Sequence, residues 1–199
     1  MPGRQKADAV TMQSGWFAYI PNLICVMRML LTLPIVMALV RAEYGMALVL
    51  IMVAGFSDGL DGYLARRYGW TSRVGGVLDP LADKLLFVSV FAALTWMELV
   101  PVWLFAVVLL RDVIIVSGAI AYEFLIGPVE PNPSKVGKLN TVVALLYLLF
   151  VMTFQIFSWP PQISILVCGS AVFVVSLVSG LDYVLTWSQR AIQAKAAQA

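Results

Sequence analysis

Four aspartates lie close together in a chain that is otherwise strongly apolar. Asp58 and Asp61 are three positions apart, and Asp79 and Asp83 are four positions apart. These spacings place each pair on one face of a helix. Two neighbouring helices would therefore bring four carboxylates together. Charged groups at membrane depth are costly, so those that persist usually pair, bind ions or take part in chemistry.

The chemistry of four adjacent carboxylates is that of a divalent metal site. Ionised carboxylates at this distance repel one another, so either some are protonated or cations lie among them. Oxygen ligands without Cys or His favour Mg²⁺, Mn²⁺ or Ca²⁺ over zinc. Two such ions would balance the four charges, and two-metal sites stabilise both the attacking and the leaving oxygen in displacement at phosphorus. Gly62, Gly75 and Gly76 leave room for a substrate beside the carboxylates.

Each aspartate taken alone also has a purely structural interpretation. Asp58 or Asp61 could pair with Arg66 or Arg67 at a helix end. Asp79, which precedes a proline, could be a helix N-cap with Pro80 at the first helical position. All four together favour a functional site, because burying acidic groups does not stabilise a fold.

Composition excludes several classes of protein. The 199 residues are 61% hydrophobic and 12% charged, whereas soluble domains are about one quarter charged. The net charge of +2, without a basic stripe, argues against nucleic-acid binding. The absence of histidine excludes serine triads, histidine zinc sites and phosphohistidine intermediates.

The two cysteines are expected to have a structural role. Cys25 and Cys168 lie in apolar runs and are expected to be small buried hydrophobic residues that do not form a disulfide.

Apolar segments of membrane-spanning length predict an all-α integral membrane protein with six transmembrane helices. About 20 helical residues cross a hydrocarbon core. The predicted spans are 20–40, 45–65, 77–96, 100–125, 139–157 and 163–185. The domain division is a polar N-terminal segment over 1–19, a transmembrane domain over 20–188 and a flexible tail over 189–199. Trp16, Phe17 and Tyr19 are expected either in a short interfacial helix or in ordinary packing.

The distribution of basic residues predicts the orientation. Six spans place both termini and the aspartate ends of spans two and three on one side. The basic residues on that side are Arg4, Lys6, Arg66, Arg67, Arg73, Lys135, Lys138, Arg190 and Lys195, against Arg41 on the other. The positive-inside rule makes that side cytoplasmic. The expected location is the inner, cytoplasmic membrane.

Charged residues inside the spans need partners. Arg28 is expected either to reach the aspartates, directly or through a bound phosphate, or to extend to the near interface. Arg111 and Asp112 are adjacent and point about 100° apart on a helix, so they are expected not to pair face to face. A bond from one of them to another helix is the favoured structural role.

The aspartate region also resembles a known motif. The pattern Asp58-x-x-Asp61-Gly62-x-x-Ala65-Arg66, eight further residues, then Gly75-x-x-x-Asp79-x-x-x-Asp83 is similar to the signature of the CDP-alcohol phosphatidyltransferase family, at all eight fixed positions. The resemblance implies a membrane enzyme, usually a homodimer, with six transmembrane helices. It implies transfer of a phosphatidyl or similar group from a CDP-linked donor to an alcohol, with release of CMP.

The resemblance also implies roles for individual residues. Asp58, Asp61 and Asp79 would bind two Mg²⁺ or Mn²⁺ ions, while Asp83 would be the general base and also touch the second metal. The implied donor is CDP-diacylglycerol. Its implied contacts are Pro21, Asn22, Gly62, Arg66 and Ser72.

The acceptor alcohol is less strongly indicated. The stretches 99–102, 111–113 and 134–141 most resemble family members that convert phosphatidylglycerol to cardiolipin. The alternative acceptor, glycerol 3-phosphate, is a dianion that needs a basic pocket. The residues expected to contact the acceptor are Arg73, Arg111, Lys135 and Lys138.

A cation transporter or channel is the alternative function from another class of protein, but the acidic residues cluster at one membrane face instead of crossing the membrane. A catalytically inactive scaffold is disfavoured because no motif position is missing.

Overall fold

The computed structural model describes residues 20–68, 75–125 and 135–198, with side chains described over 23–57, 59, 80–118 and 136–186. Within these ranges the regular structure is entirely helical, without strands. The helices are α1 (Ile20–Val40), α2 (Tyr44–Tyr68), α3 (Gly75–Trp96), α4 (Val102–Leu125), α5 (Lys135–Phe157) and α6 (Gln162–Gln198). The all-α prediction is confirmed over the described residues.

Each predicted span coincides with one helix, and the differences lie at the ends. Helix α1 has the predicted bounds, whereas α2 continues to Tyr68 and α5 begins at Lys135. Helix α6 extends to Gln198, well beyond the apolar part of its sequence. The flexibility of 189–199 stays a prediction. The interfacial aromatics of residues 1–19 lie outside the described residues.

Among the described residues, three helices are long and apolar enough to cross a membrane. The apolar stretches are Leu23–Val40, Val136–Phe157 and Gln162–Thr186, and α2 adds a shorter one, Tyr44–Ser57. Large apolar side chains on the helices face outward, including Phe56, which is 74% exposed, and Leu166, which is 66% exposed. Apolar surface of this extent is unusual for a soluble monomer. The protein is therefore a membrane protein.

The chain forms two compact units, residues 1–94 and 95–199. In the first unit, α1 and α2 pack together, with Ile35 and Leu39 of α1 and Ala47 and Ala54 of α2 fully or almost fully buried. Small residues such as these alanines let helix backbones approach closely. In the second unit, α6 packs against both α4 and α5.

In the part of the chain that the structure describes, three residues other than glycine have a left-handed backbone conformation, and each lies at the end of a helix. Ala42, Glu98 and Ser158, with φ of 59°, 60° and 55°, follow α1, α3 and α5. The amide of Ala42 donates to the Leu39 carbonyl at 2.9 Å, and the amide of Glu98 donates to the Thr95 carbonyl at 3.0 Å. Such bonds satisfy carbonyls at a helix C-terminus, where glycine is the usual residue. They allow short turns before α2, α4 and α6.

Candidate active site

The two aspartate pairs occupy helical backbone in the first unit. Asp58 and Asp61 lie in the second half of α2, and Asp79 and Asp83 lie in the first turns of α3. Because the backbone is helical at all four positions, each pair has the spacing of one helix side. The side chains of Asp58, Asp61 and Asp79 lie outside the described residues, so their convergence stays a prediction.

The N-cap interpretation of Asp79 is wrong. Helix α3 begins at Gly75, and Pro80 lies inside it. A cap precedes the first helical residue, whereas Asp79 already follows several. Pro80 is the sixth residue of α3, beyond the first four amides, so the helix lacks the bond that an amide at this position would donate four residues back.

The described carboxylate of the site, Asp83, is paired with Arg28. Nη1 of Arg28 donates to Oδ1 of Asp83, which joins α1 to α3. The Arg28 side chain is 2% exposed and the Asp83 side chain is 54% exposed. Of the alternatives for Arg28, the direct contact with the aspartate site is therefore confirmed. A buried cation is bonded to an acid that is accessible from outside the protein.

The expected donor contacts fall on the same helices. Pro21 and Asn22 lie in the first turn of α1, Gly62 follows Asp61 in α2, and Arg66 lies one turn further on. The side chains at these positions, and the whole of Ser72, lie outside the described residues. Their contacts with a donor stay predictions.

Arg111, expected to contact the acceptor, belongs to a polar cluster in the second unit. Its Nη1 lies 2.9 Å from Asp112 Oδ1, and its Nη2 and Nε lie 2.7 and 3.2 Å from the Ser179 hydroxyl of α6. The guanidinium carbon is 5.7 Å from the centre of the Tyr183 ring. The prediction that Arg111 and Asp112 do not pair was wrong, because the long arginine side chain bends back to its neighbour. The predicted bond to another helix is confirmed.

The other residues expected to contact the acceptor are only partly described. Lys138 is exposed on α5. Lys135 is the first residue of α5, with its side chain outside the described residues, and Arg73 lies outside them entirely. Their contacts with an acceptor stay predictions.

A second polar contact between helices was not predicted. The Ser176 hydroxyl of α6 donates to Asn140 Oδ1 of α5 at 2.7 Å, and both residues are buried. The signal in the sequence is Asn140, an amide within an apolar segment, which needs a partner in hydrocarbon. This contact, together with that of Arg111, links α6 to both of its neighbours.

The aspartate site has the ligand chemistry of a magnesium or manganese site. Among the described side chains, no group of three or more His, Cys, Asp or Glu residues is placed to hold a metal, and Asp83 is the single described member of the quartet. The four positions offer carboxylate oxygens alone, which are the ligands of hard divalent cations. The donor set therefore fits such ions.

Comparison with known proteins places the chain in a family. The family model described as CDP-alcohol phosphatidyltransferase matches residues 18–181. The chain belongs to the CDP-alcohol phosphatidyltransferase family. The match includes α1 to α5 and the first part of α6, so the predicted family is confirmed. This is an enzyme family that uses divalent metal ions, a CDP-alcohol and an alcohol acceptor.

Relatives with two kinds of name are similar to this chain in sequence. A probable CMP-forming cardiolipin synthase of Drosophila melanogaster is 30% identical over 71% of this chain and 49% of its own length. The human CMP-forming cardiolipin synthase is 29% identical over 85% of this chain and 63% of its own length. A CDP-diacylglycerol–glycerol-3-phosphate 3-phosphatidyltransferase of Aquifex aeolicus is 32% identical over 83% of this chain and 94% of its own length. The chain spans about half the length of several of the cardiolipin synthases it matches.

Proposed function

We propose that this protein is a phospholipid synthase that transfers a phosphatidyl group from CDP-diacylglycerol to an alcohol and releases CMP. The observation that carries the proposal is the Asp83 side chain, accessible on α3 and bonded to the buried Arg28, within a complete family motif. Family membership supports the reaction class.

The metal ligands in this proposal are the four aspartates. Asp58, Asp61 and Asp79 would hold two Mg²⁺ or Mn²⁺ ions, and Asp83 would contact the second. Bound ions would neutralise the diphosphate of the donor and stabilise the charge that develops as CMP leaves.

The side chains of the protein have three roles: they bind the donor, orient the general base and accept a proton. Asp83 takes the proton of the acceptor hydroxyl, the role of a general base. Arg28 orients Asp83, because it holds one carboxylate oxygen and its own burial restricts its movement. Pro21, Asn22, Gly62, Arg66 and Ser72 bind the CDP-linked donor. Direct displacement needs no covalent enzyme intermediate.

Phosphatidylglycerol is the acceptor that we propose, which makes cardiolipin the product. The fruit-fly and human relatives are named cardiolipin synthases, while the Aquifex relative supports glycerol 3-phosphate as the alternative. Arg73, Arg111, Lys135 and Lys138 would contact either acceptor. The bonds of Arg111 to Asp112 and Ser179 leave it less suited to a soluble dianion, because its charge is already balanced within the protein.

The setting of this enzyme is the inner, cytoplasmic membrane. We propose six transmembrane helices in a catalytic domain over 20–188, with the active site and both termini on the cytoplasmic side and a homodimer as the assembly. The three long apolar helices and the basic residues near the predicted cytoplasmic ends support this topology.

Purified protein can be tested with CDP-diacylglycerol, Mg²⁺ or Mn²⁺, and one acceptor at a time. We expect CMP release with phosphatidylglycerol and a cardiolipin product, both lost when the metal is chelated. Product from glycerol 3-phosphate alone would reverse the choice of acceptor. Absence of CMP release with either acceptor, together with metal-ion flux through the protein in liposomes, would instead favour the transporter.

A further inference from the structure

A cavity in the second unit involves none of the residues assigned to phosphatidyl transfer. Its volume is about 410 Å³, and it lies between the turn after α3, the start of α4, the end of α5 and the start of α6. Ligand-binding cavities usually range from about 300 to 1,000 Å³. The cavity is therefore large enough for part of a small ligand or lipid.

The floor of the cavity is apolar and closely packed. Leu104, Tyr147 and Val151 line it and are at most 3% exposed. The Tyr147 ring lies so close to Gly169 that a Cβ added there would be 3.0 Å from a ring carbon. This contact fixes the wall between α5 and α6, because no larger residue fits at Gly169 without moving the ring. A preformed apolar floor suits a hydrocarbon chain.

The rim of the cavity carries negative charge and amides. Glu98, Gln155 and Gln162 line it and are exposed. Among the lining residues in the described part of the chain, Glu98 is the charged one. A carboxylate at the rim disfavours a purely anionic headgroup and favours a ligand with a positive charge.

The surroundings indicate a membrane ligand. Trp103 and Leu166 both line the cavity and are 55% and 66% exposed. Exposed tryptophan on a membrane helix is typical of the boundary between headgroups and acyl chains. The amphiphiles available at that boundary are membrane lipids.

We propose that this cavity binds a phospholipid whose headgroup carries a primary ammonium group. The ammonium lies at the Glu98 carboxylate, the phosphate accepts hydrogen bonds from the side-chain amides of Gln155 and Gln162, and part of an acyl chain lies on Leu104 and Val151. This binding site is separate from the aspartate site and does not depend on the proposed reaction.

The test is lipid binding by the purified full chain in detergent, measured by native mass spectrometry. The probes are phosphatidylethanolamine, phosphatidylcholine and phosphatidylglycerol with identical acyl chains. We expect phosphatidylethanolamine to bind about tenfold more tightly than phosphatidylcholine, whose trimethylammonium group cannot donate a hydrogen bond. E98Q should remove this preference. E43Q, an exposed acid in the turn after α1, is the matched control and should retain it.

A second variant tests the location of the bound chain. Ser170, exposed at the rim, can be replaced by tryptophan, and S170W should lose bound phosphatidylethanolamine while keeping its thermal unfolding temperature and its rate of CMP release. Equal binding of phosphatidylethanolamine and phosphatidylcholine, or a preference that survives in E98Q, would overturn the proposal. A change of oligomeric state in S170W with lipid binding intact would assign the cavity to a second copy of the chain and would also overturn it.

Discussion

Asp83 is the residue on which the proposed reaction depends. Its carboxylate is accessible and held by Arg28, an arrangement suited to a base that must meet an incoming hydroxyl in a fixed orientation. General bases contribute about 10²- to 10⁴-fold to rate.

D83N should therefore lower kcat by at least about 100-fold and leave the affinity for CDP-diacylglycerol nearly unchanged. The measurement is CMP release together with donor binding. D182N, an acid on α6 outside the proposed site, is the matched control and should keep normal turnover. Activity of D83N within about tenfold of the unchanged protein, a difference of about 1.4 kcal/mol in barrier, would remove Asp83 from the role of base.

The ion pair between Arg28 and Asp83 can also be broken by replacing the arginine. R28Q keeps the Asp83 carboxylate but removes the group that orients it, so we expect a smaller loss of kcat than in D83N. If both variants lost activity equally, the ion pair itself and not the base would be the essential feature.

At the scale of helices, α6 is fixed to its neighbours by polar contacts inside an apolar unit. Ser179 is completely buried and accepts two bonds from Arg111. Hydrogen bonds between membrane helices contribute about 0.6 kcal/mol on average and at most about 1.7 kcal/mol. Bonds to a charged donor belong in the upper part of this range.

S179A should consequently lower the free energy of unfolding by about 1 to 1.7 kcal/mol, measured by thermal or denaturant unfolding in detergent. Ser170, on the same helix, is exposed and bonds only to the Leu166 carbonyl of its own helix among the bonds described. S170A is the matched control and should change stability by less than about 0.5 kcal/mol. Equal effects of the two substitutions would mean that the bonds from Arg111 do not stabilise the packing of α6.

The helices were predictable from sequence, whereas their polar contacts were less so. Long apolar segments in a membrane must be helical to satisfy their backbone groups, and the bounds of α1 agree with the prediction. The Arg111–Asp112 pair was missed because helix geometry gives the direction of Cβ but not the reach of a long side chain. Ser176 and Asn140 are 36 residues apart, and sequence spacing contains no information on which distant residues meet. At the candidate site the contact of Arg28 with Asp83 was one of the predicted alternatives, whereas the convergence of the four aspartates stays a prediction from residue types and spacing.

At the scale of the whole molecule, the proposed topology places the turns after α3 and α5 on the side of the membrane opposite the cytoplasm. In a chain carrying C25A and C168A, single cysteines can be introduced as E98C, S158C and A199C. A membrane-impermeant maleimide should label E98C and S158C in intact bacterial cells, and A199C only after the membrane is opened. Labelling of A199C and E98C from the same side would contradict six spans.

The burial of Arg28 also has a consequence for biosynthesis. Arg28 lies in α1, and its partner Asp83 follows 55 residues later. At about 5 to 20 residues per second, the cation waits for several seconds before that acid is made. During this interval α1 carries a charge that costs about 2.5 to 3.5 kcal/mol at the centre of a bilayer. The bond between Arg28 and Asp83 can therefore form only after α3 has been synthesised, and until then the apolar residues of α1 must offset the cost of the charge.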